Sequence, residues 1–342
     1  MRAMKRWHLL LGVLISGVFL YLALRGLHLE QVWAALRDAQ YVWLLPGVAV
    51  YFVALYLRAW RWHYLLRPLR AVATRDLFPI VSIGYMGNNI FPARAGEVLR
   101  AVLLRRQRQI PVSASLATIL VERVYDGVVM LGFVFLNLPE LARVAGADSG
   151  FVGDLQTLAL WGSVAFMAAL AAFLLAGMFP TRAAAVLARL VQPLPAGLAE
   201  RVERVGQAFL DGLRGLGSPR EAWMIFVTSV AIWLLETAKY WFVMHAFPFR
   251  VPFFALMLMN GVVNLATTLP SAPGYVGTFD TPGIAVLAAY GVDKAMAAAY
   301  TLTLHAALWF PVTALGAYYA LQAGLHWREL ARPETLSPEE PT

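Results

Sequence analysis

The sequence contains no cysteine, and charged residues make up only 14% of its 342 positions. The absence of cysteine excludes disulfide bonds, thiolate metal ligands and a cysteine nucleophile. The scarcity of charge, together with 60% hydrophobic residues and a mean hydropathy of +0.63, excludes ordinary soluble domains. Because apolar segments of roughly 17 to 25 residues recur along the chain, the composition predicts an all-α integral membrane protein.

Enzyme signatures are also absent from the sequence. It has no H-E-x-x-H zinc motif, no G-x-S-x-G nucleophile motif and no glycine-rich nucleotide-binding motif. The histidines are scattered, and His305, inside an apolar run, is predicted to be a packed, hydrogen-bonded imidazole rather than a catalytic base. We therefore predict no catalytic residue, no metal and no cofactor.

Six apolar segments are predicted to cross the membrane completely. The first follows a basic start and precedes no cleavage site, so an uncleaved span is expected there. An amphipathic helix over residues 27–40 and a loop over residues 137–154 are expected on the outer side, and an amphipathic segment over residues 181–220, broken at Pro193 and Pro195, on the inner side. The six predicted spans are residues 8–24, 41–66, 112–138, 155–178, 222–247 and 295–321.

Positive charge is distributed unevenly between the two sides of this topology. Twenty Lys and Arg residues fall on one side, among them Arg58, Arg61 and Arg100, and five on the other. Because basic segments stay in the cytoplasm, both termini are predicted to be cytoplasmic, in a bacterial or archaeal plasma membrane, that is, a cell inner membrane. Residues 331–342 are predicted to form a disordered cytoplasmic tail, and no nucleic-acid partner is expected.

Two further apolar stretches are followed or interrupted by Pro and Gly. Pro92 and Gly96 follow residues 77–91, while Pro270, Pro273 and Gly274 interrupt residues 251–290. Irregular backbone at membrane depth must be covered by protein or line a wet cavity. Each stretch is therefore predicted to be a re-entrant helical hairpin, with these residues at its turn.

The two hairpins are predicted to enter from opposite sides of the membrane. They define an inverted-topology repeat, over about residues 76–138 and 251–321, within a single polytopic domain of residues 1–330. Residues 251–290 are also long enough for two short complete spans joined by a tight turn. Both interpretations of this segment remain open.

Three sequence motifs carry a family resemblance. They are G-N-N-I-F-P-A-R-A-G-E-V-L-R at residues 87–100, E-R-V-Y-D at residues 122–126 and P-S-A-P-G-Y-V-G-T-F-D at residues 270–280. Over about residues 8–325 the sequence resembles the flippase-like family that includes the transmembrane domain of lysylphosphatidylglycerol synthases. Asp280 departs from the Glu expected in many relatives. The resemblance implies movement of lipid or lipid-linked molecules between leaflets, without the aminoacyl-transferring domain of the synthases.

Charged and amide side chains near the two breaks form the predicted substrate-binding set. Ionisable residues within spans are costly to bury and mark pathways by default. Arg94 is expected to bind phosphate, because a guanidinium matches phosphate geometry. The nearly balanced charges also fit a structural ion-pair network, most directly for Glu236 and Lys239. The predicted set is Asn88, Asn89, Arg94, Glu97, Arg100, Glu122, Arg123, Asp126, Asn264, Asp280, Glu236 and Lys239.

The sequence favours lipid translocation and leaves two alternatives open. One is a membrane-embedded transferase acting on a lipid-linked substrate, and the other is a non-transporting scaffold for a lipid-modifying enzyme. Membrane lipids or lipid-linked molecules are the expected partners, with such an enzyme as a possible further one. The acidic residues predicted to lie outside show no pairing at metal-ligand spacing: these are Glu30, Asp38, Asp148 and Asp154.

Overall fold

A computed structural model describes residues 14, 17–18, 21, 28–91, 94–146, 150–193, 195–213, 218–268 and 272–325. All regular secondary structure within these ranges is helical, which confirms the all-α prediction. Twelve helices are described: α1 Leu29–Arg37, α2 Leu44–Leu66, α3 Thr74–Ile90, α4 Ala95–Arg108, α5 Val112–Ala145, α6 Gly150–Met178, α7 Pro180–Val191, α8 Ala196–Gly212, α9 Pro219–Met244, α10 Phe253–Ala266, α11 Asp280–Ala289 and α12 Lys294–Gln322.

Four helical segments among the described residues are long and apolar enough to cross a membrane, and the protein is an integral membrane protein. They correspond to four of the six predicted spans. The predicted span over residues 8–24 lies outside the described residues apart from four helical positions, and the predicted tail lies outside them entirely. The four segments are Tyr41–Leu66, Val152–Met178, Pro219–Met244 and Lys294–Gln322.

The predicted outer loop over residues 137–154 is wrong in its extent. Helix α5 continues to Ala145, and α6 begins at Gly150. Leu138 and Leu141 continue the buried face of α5, and the Asn137 amide donates to the Phe133 carbonyl. Because this asparagine is satisfied by its own helix, it does not end the helix. The predicted break before α8 is confirmed, since α7 ends at Val191 and α8 begins at Ala196.

Both Pro-Gly segments interrupt the helical path. Arg94 adopts a left-handed conformation (φ 53°) between α3 and α4. Gly274 (φ 75°) lies in a short 3₁₀ turn, Pro273–Tyr275, between α10 and α11. We call the segments over residues 91–94 and 267–279 the first and second breaks. Of the predicted turn residues, Pro92 and Pro270 lie outside the described part of the chain.

Gly96 is not the turn residue that the sequence predicts. It lies inside α4, and the left-handed position at this break belongs to Arg94. Its small size serves close packing, because a Cβ at Gly96 would overlap the Gly84 carbonyl oxygen of α3. Gly87 is equally confined, with its Cβ position 2.9 Å from the Gly96 Cα. The two helices therefore cross with their backbones almost in contact.

The packing contacts made by one set of four helices are reproduced by a second set of four helices. Helices α2, α3, α4 and α5 correspond in order to α9, α10, α11 and α12. Helix α3 packs on α4 and α12, as α10 packs on α11 and α5. Helix α2 contacts α3, α5 and α12, as α9 contacts α10, α12 and α5. Each broken element thus packs against the long helix of the other set, which brings the two breaks together.

We expect Gly96→Ala to destabilise the protein although alanine is the better helix former. The added methyl group would meet backbone atoms of α3, which cannot rotate away as a side chain does. Thermal unfolding of the detergent-purified protein should show a lower midpoint. Gly132→Ala in α5 is the matched control, because nothing lies within 4 Å of its Cβ position. An unchanged midpoint for Gly96→Ala would contradict the close helix crossing.

Candidate functional site

A cavity of about 120 Å³ lies among helices α2, α3, α5, α9, α10 and α12, beside the two breaks. Seven of the twelve predicted substrate-binding residues line it: Asn88, Asn89, Arg94, Arg123, Asn264, Glu236 and Lys239. The other described lining residues are Tyr51, Arg58, Tyr85, Trp233, Tyr240, Thr267, Gly274, Tyr275, Phe279, His305, Leu308 and Trp309.

The two breaks touch at one wall of this cavity. Arg94 Nη2 donates to the Thr267 carbonyl oxygen at 3.0 Å, and its guanidinium lies 5.9 Å from the ring centre of Tyr275. Trp309 Nε1 in α12 donates to the Asn89 carbonyl oxygen at 3.3 Å. Polar contacts therefore join the end of α3, the second break and α12.

A cluster of three charged residues, Arg58, Glu236 and Lys239, forms another part of the wall. Arg58 Nη2 donates to Glu236 Oε1 at 2.9 Å, and the Lys239 ammonium pairs with Glu236 Oε2. The ammonium also lies 4.1 Å from the ring centre of Tyr51. Glu236 thus shares its charge between two cations, as its predicted pairing with Lys239 implies. Pairing and lining the cavity are compatible roles for these residues.

Five predicted substrate-binding residues lie behind the cavity wall instead of lining it: Glu97, Arg100, Glu122, Asp126 and Asp280. Arg100 Nη2 donates to Glu122 Oε2 at 3.1 Å, and its guanidinium stacks 4.1 Å from the ring centre of Trp62. Glu97 Oε1 lies 3.8 Å from Arg94 Nη1 and 3.7 Å from Arg123 Nε. Glu97 therefore pairs with two lining arginines, whereas Arg100 and Glu122 pair with each other away from the cavity.

His305 fixes the second break, which confirms its prediction as a packed, hydrogen-bonded imidazole. Its Nδ1 lies 2.9 Å from Asp280 Oδ1, and its Nε2 lies 2.6 Å from the Gly274 carbonyl oxygen. The Gly277 backbone N–H donates to Asp280 Oδ2 at 2.9 Å. The start of α11, the turn and α12 are thereby joined through one carboxylate and one imidazole.

Arg58, which lines the cavity, and Arg61, which does not, were assigned by sequence to the cytoplasmic basic cluster, and that assignment is wrong. Arg58 and Arg61 are 4% and 0% exposed inside the bundle. Arg61 Nη1 and Nη2 donate to both oxygens of Asp126, at 2.7 and 3.3 Å, and Arg61 Nη1 also donates to Ser229 Oγ. Arg100, counted in the same basic set, is 3% exposed and paired. Opposite charges on neighbouring helices explain why these arginines turn inward.

Positive charge predominates on the cavity wall. Three arginines and Lys239 line it, and Glu236 is the single carboxylate among its described lining residues. Several of their donor atoms make no hydrogen bond within the described part of the chain, namely Arg58 Nε and Nη1, Arg94 Nε and Arg123 Nε. Two of them lie near a carboxylate without bonding to it, because Arg58 Nη1 is 3.9 Å from Asp126 Oδ2 and Arg123 Nε is 3.7 Å from Glu97 Oε1. Buried donors of this kind are costly unless a partner meets them. The wall is therefore suited to an acceptor-rich group.

Residues 9–316 match the family described as the lysylphosphatidylglycerol synthase TM region. The chain belongs to this family. The predicted resemblance is therefore confirmed, and the matched range contains both breaks and every described residue that lines the cavity. In this member of the lysylphosphatidylglycerol synthase TM region family, the charged cavity is thus part of the family domain itself.

Curated relatives of this family member include three proteins from archaea. Glycosyltransferase AglD of Haloferax volcanii is 29% identical over 87% of the chain, and the chain spans about half (52%) of its length. A UPF0104 membrane protein of Methanothermobacter thermautotrophicus is 25% identical over 81% of the chain and 83% of its own length. Another, from Methanocaldococcus jannaschii, is 23% identical, with 85% and 87% covered.

Proposed function

We propose that this protein moves a lipid or a lipid-linked molecule from one membrane leaflet to the other through the cavity between the two breaks. The observation that carries the proposal is the cluster of charged side chains lining a cavity where two interrupted helices meet. Burying such charges in a membrane protein is costly, and they usually mark a pathway. Transporters place substrate sites between broken helices. The lipid in the family's name agrees with this class of substrate.

The proposed topology has six full spans and two re-entrant hairpins in an inverted repeat, with both termini in the cytoplasm. The exchange of contacts between the two sets of four helices supports a repeat. Helices α4 and α11 are short, with 14 and 10 residues, which favours half-crossings over complete spans. The whole described bundle forms one polytopic domain in the plasma membrane of a bacterium or an archaeon.

Cysteine labelling tests this topology, because the native chain has no cysteine to give background. We expect Gly150→Cys, at the start of α6, to react with a membrane-impermeant maleimide added from outside. Gln192→Cys, exposed between α7 and α8, should react only when the cytoplasmic face is accessible. Inside-out and right-side-out vesicles provide the two arrangements. The reverse labelling pattern would contradict the proposed orientation.

A membrane-embedded transferase is the second candidate function. One observation favours it, because AglD carries the name glycosyltransferase. The chain corresponds to only about half of AglD, so the activity named for the whole relative does not pass directly to it. The cavity wall, with its cations and one carboxylate, supports binding of an anion more directly than proton transfer.

Purified protein in liposomes separates these candidates. Fluorescent or isotopically labelled lipids are placed in one leaflet, and both their sidedness and their mass are followed. We expect lipids to change leaflet without changing mass. A changed mass in the presence of a glycosyl donor would support the transferase. If the lipids change neither leaflet nor mass, the result would contradict the proposed function and support a non-transporting scaffold.

A further inference from the structure

A groove of about 540 Å³ adjoins the charged cavity. The two spaces share Asn89, Gly274, His305 and Trp309 in their walls. Beyond these shared residues the groove is apolar, with Leu302, Ala306 and Phe310 contributed by one face of α12. The polar cavity and the apolar groove therefore lie on either side of one layer of residues.

The groove lies on the outer surface of the bundle. Phe310 is 64% exposed, and Leu302 on the same helix is 41% exposed. Val276 of the second break, on the opposite wall, is also 41% exposed. Apolar side chains at the surface of a membrane-spanning helix face the hydrocarbon of the bilayer. The groove thus lies between the lipid phase and the cavity, with the shared residues forming the wall between the two spaces.

The size and charge of the cavity limit the group that fits it. A volume of about 120 Å³ accommodates a group of the size of a phosphate. Arg58 is 4% exposed and lines the cavity, and its Nη2 binds Glu236. Its Nε and Nη1 make no hydrogen bond in the described ranges, although Nη1 lies 3.9 Å from Asp126 Oδ2. Guanidinium donors match phosphate oxygens in charge and geometry.

Building on the proposed function, we propose that the cavity and the groove form one binding site for a phosphate-bearing anionic lipid. The phosphate group binds in the cavity among Arg58, Arg94, Arg123 and Lys239. A hydrocarbon chain of the same molecule lies in the groove between α12 and the second break. The substrate therefore reaches the cavity sideways from the bilayer, and its polar group never separates from its apolar chain.

Photolabelling tests where the hydrocarbon chain lies. Phosphatidic acid and polyprenyl phosphate, each with a diazirine in the hydrocarbon, are incubated with the protein in nanodiscs and activated by light. Phosphatidylcholine with the same label is the comparison probe. We expect both anionic probes to label the α12 peptide containing residues 302–310, with phosphatidylcholine labelling it weakly. Labelling by one anionic probe only would identify which lipid class is the source of the phosphate.

A matched pair of substitutions tests whether this labelling depends on the groove. Leu302→Trp fills the groove and should reduce labelling by roughly fivefold or more, because overfilled apolar sites exclude their occupant. Leu321→Trp makes the same change on α12 at a 77% exposed position, about 28 Å further along the helix. It should leave the labelling unchanged.

Two outcomes would overturn the inference. One is labelling of residues 302–310 that Leu302→Trp does not reduce, and the other is equal labelling by phosphatidylcholine and the anionic probes. Lipid movement is measured on the same preparations to separate this inference from the proposed function. Movement without groove labelling would refute the shared site and leave translocation standing. Groove labelling without movement would support the shared site and refute translocation.

Discussion

Arg94→Gly is expected to reduce lipid movement in liposomes roughly tenfold or more while the protein remains folded. The substitution removes a guanidinium that lines the cavity and joins the two breaks through the Thr267 carbonyl. Hydrogen bonds to charged groups contribute about 1.5–3 kcal/mol each, which corresponds to at least tenfold in rate or affinity. Glycine also relieves backbone strain at position 94, because the left-handed conformation that Arg94 adopts costs about 1–2 kcal/mol for residues other than glycine.

A second left-handed residue on the same helix provides the control. Gln109, exposed at the end of α4, has φ 59° and lies outside the cavity wall. Gln109→Gly should give the same backbone relief without affecting lipid movement. Arg94→Lys, which keeps the charge but loses the planar donor arrangement, should retain intermediate activity. Full activity of Arg94→Gly in folded protein would exclude a role for this side chain in translocation.

Arg61→Met is expected to have the largest effect on stability. Arg61 is completely buried, binds both oxygens of Asp126 and lies 3.6 Å from a Glu122 oxygen. Removing one member of a buried ion pair costs about 3–5 kcal/mol. Asp126 would lose its two-oxygen contact with Arg61 and keep Arg123 at 3.2 Å and Trp233 at 2.9 Å as partners. Thermal or denaturant unfolding in detergent should show this loss, and little folded protein should be recovered.

The exposed neighbour Arg67 gives the matched control, since Arg67→Met removes the same charge from the end of the same helix. Its stability should remain close to that of the wild type. Combining Arg61→Met with Asp126→Asn should recover part of the lost stability, because both charges disappear together. If the double variant loses the sum of the stabilities lost in the two single variants, the result would contradict a direct coupling between the two side chains.

The sequence predicted the helices well where composition alone determines them. Long apolar runs between polar segments set the positions of α2, α6, α9 and α12, because a bilayer requires continuous helices of this length. It also located both breaks, since proline and glycine interrupt helices for local reasons. The predicted loop over residues 137–154 was wrong in its extent, because α5 continues through Pro139 to Ala145. The buried neighbours of Asn137 continue the helix instead.

The site was only partly predictable because charge pairing between distant helices leaves no local pattern. Asn88, Asn89 and Arg94 were identified through the first break, and Glu236 through its position within a span. Arg58 was missed, although Arg58 and Arg61 lie within residues 41–66, which form a span. Treating every ionisable residue inside a span as a candidate would have found both. Which charges line the cavity and which lie behind it depends on the packing of six helices and is visible only in the structure.

The most direct test of the central claim is the rate at which head groups of different charge cross the bilayer in liposomes containing the purified wild-type protein. Anionic, zwitterionic, cationic and polyprenyl-linked lipids are labelled in one leaflet and followed by leaflet-selective quenching or back-extraction. The cavity wall predicts that phosphate-bearing anionic lipids move fastest, well above their rate in protein-free liposomes. No acceleration of any lipid, or acceleration of the cationic lipids alone, would contradict translocation through this cavity.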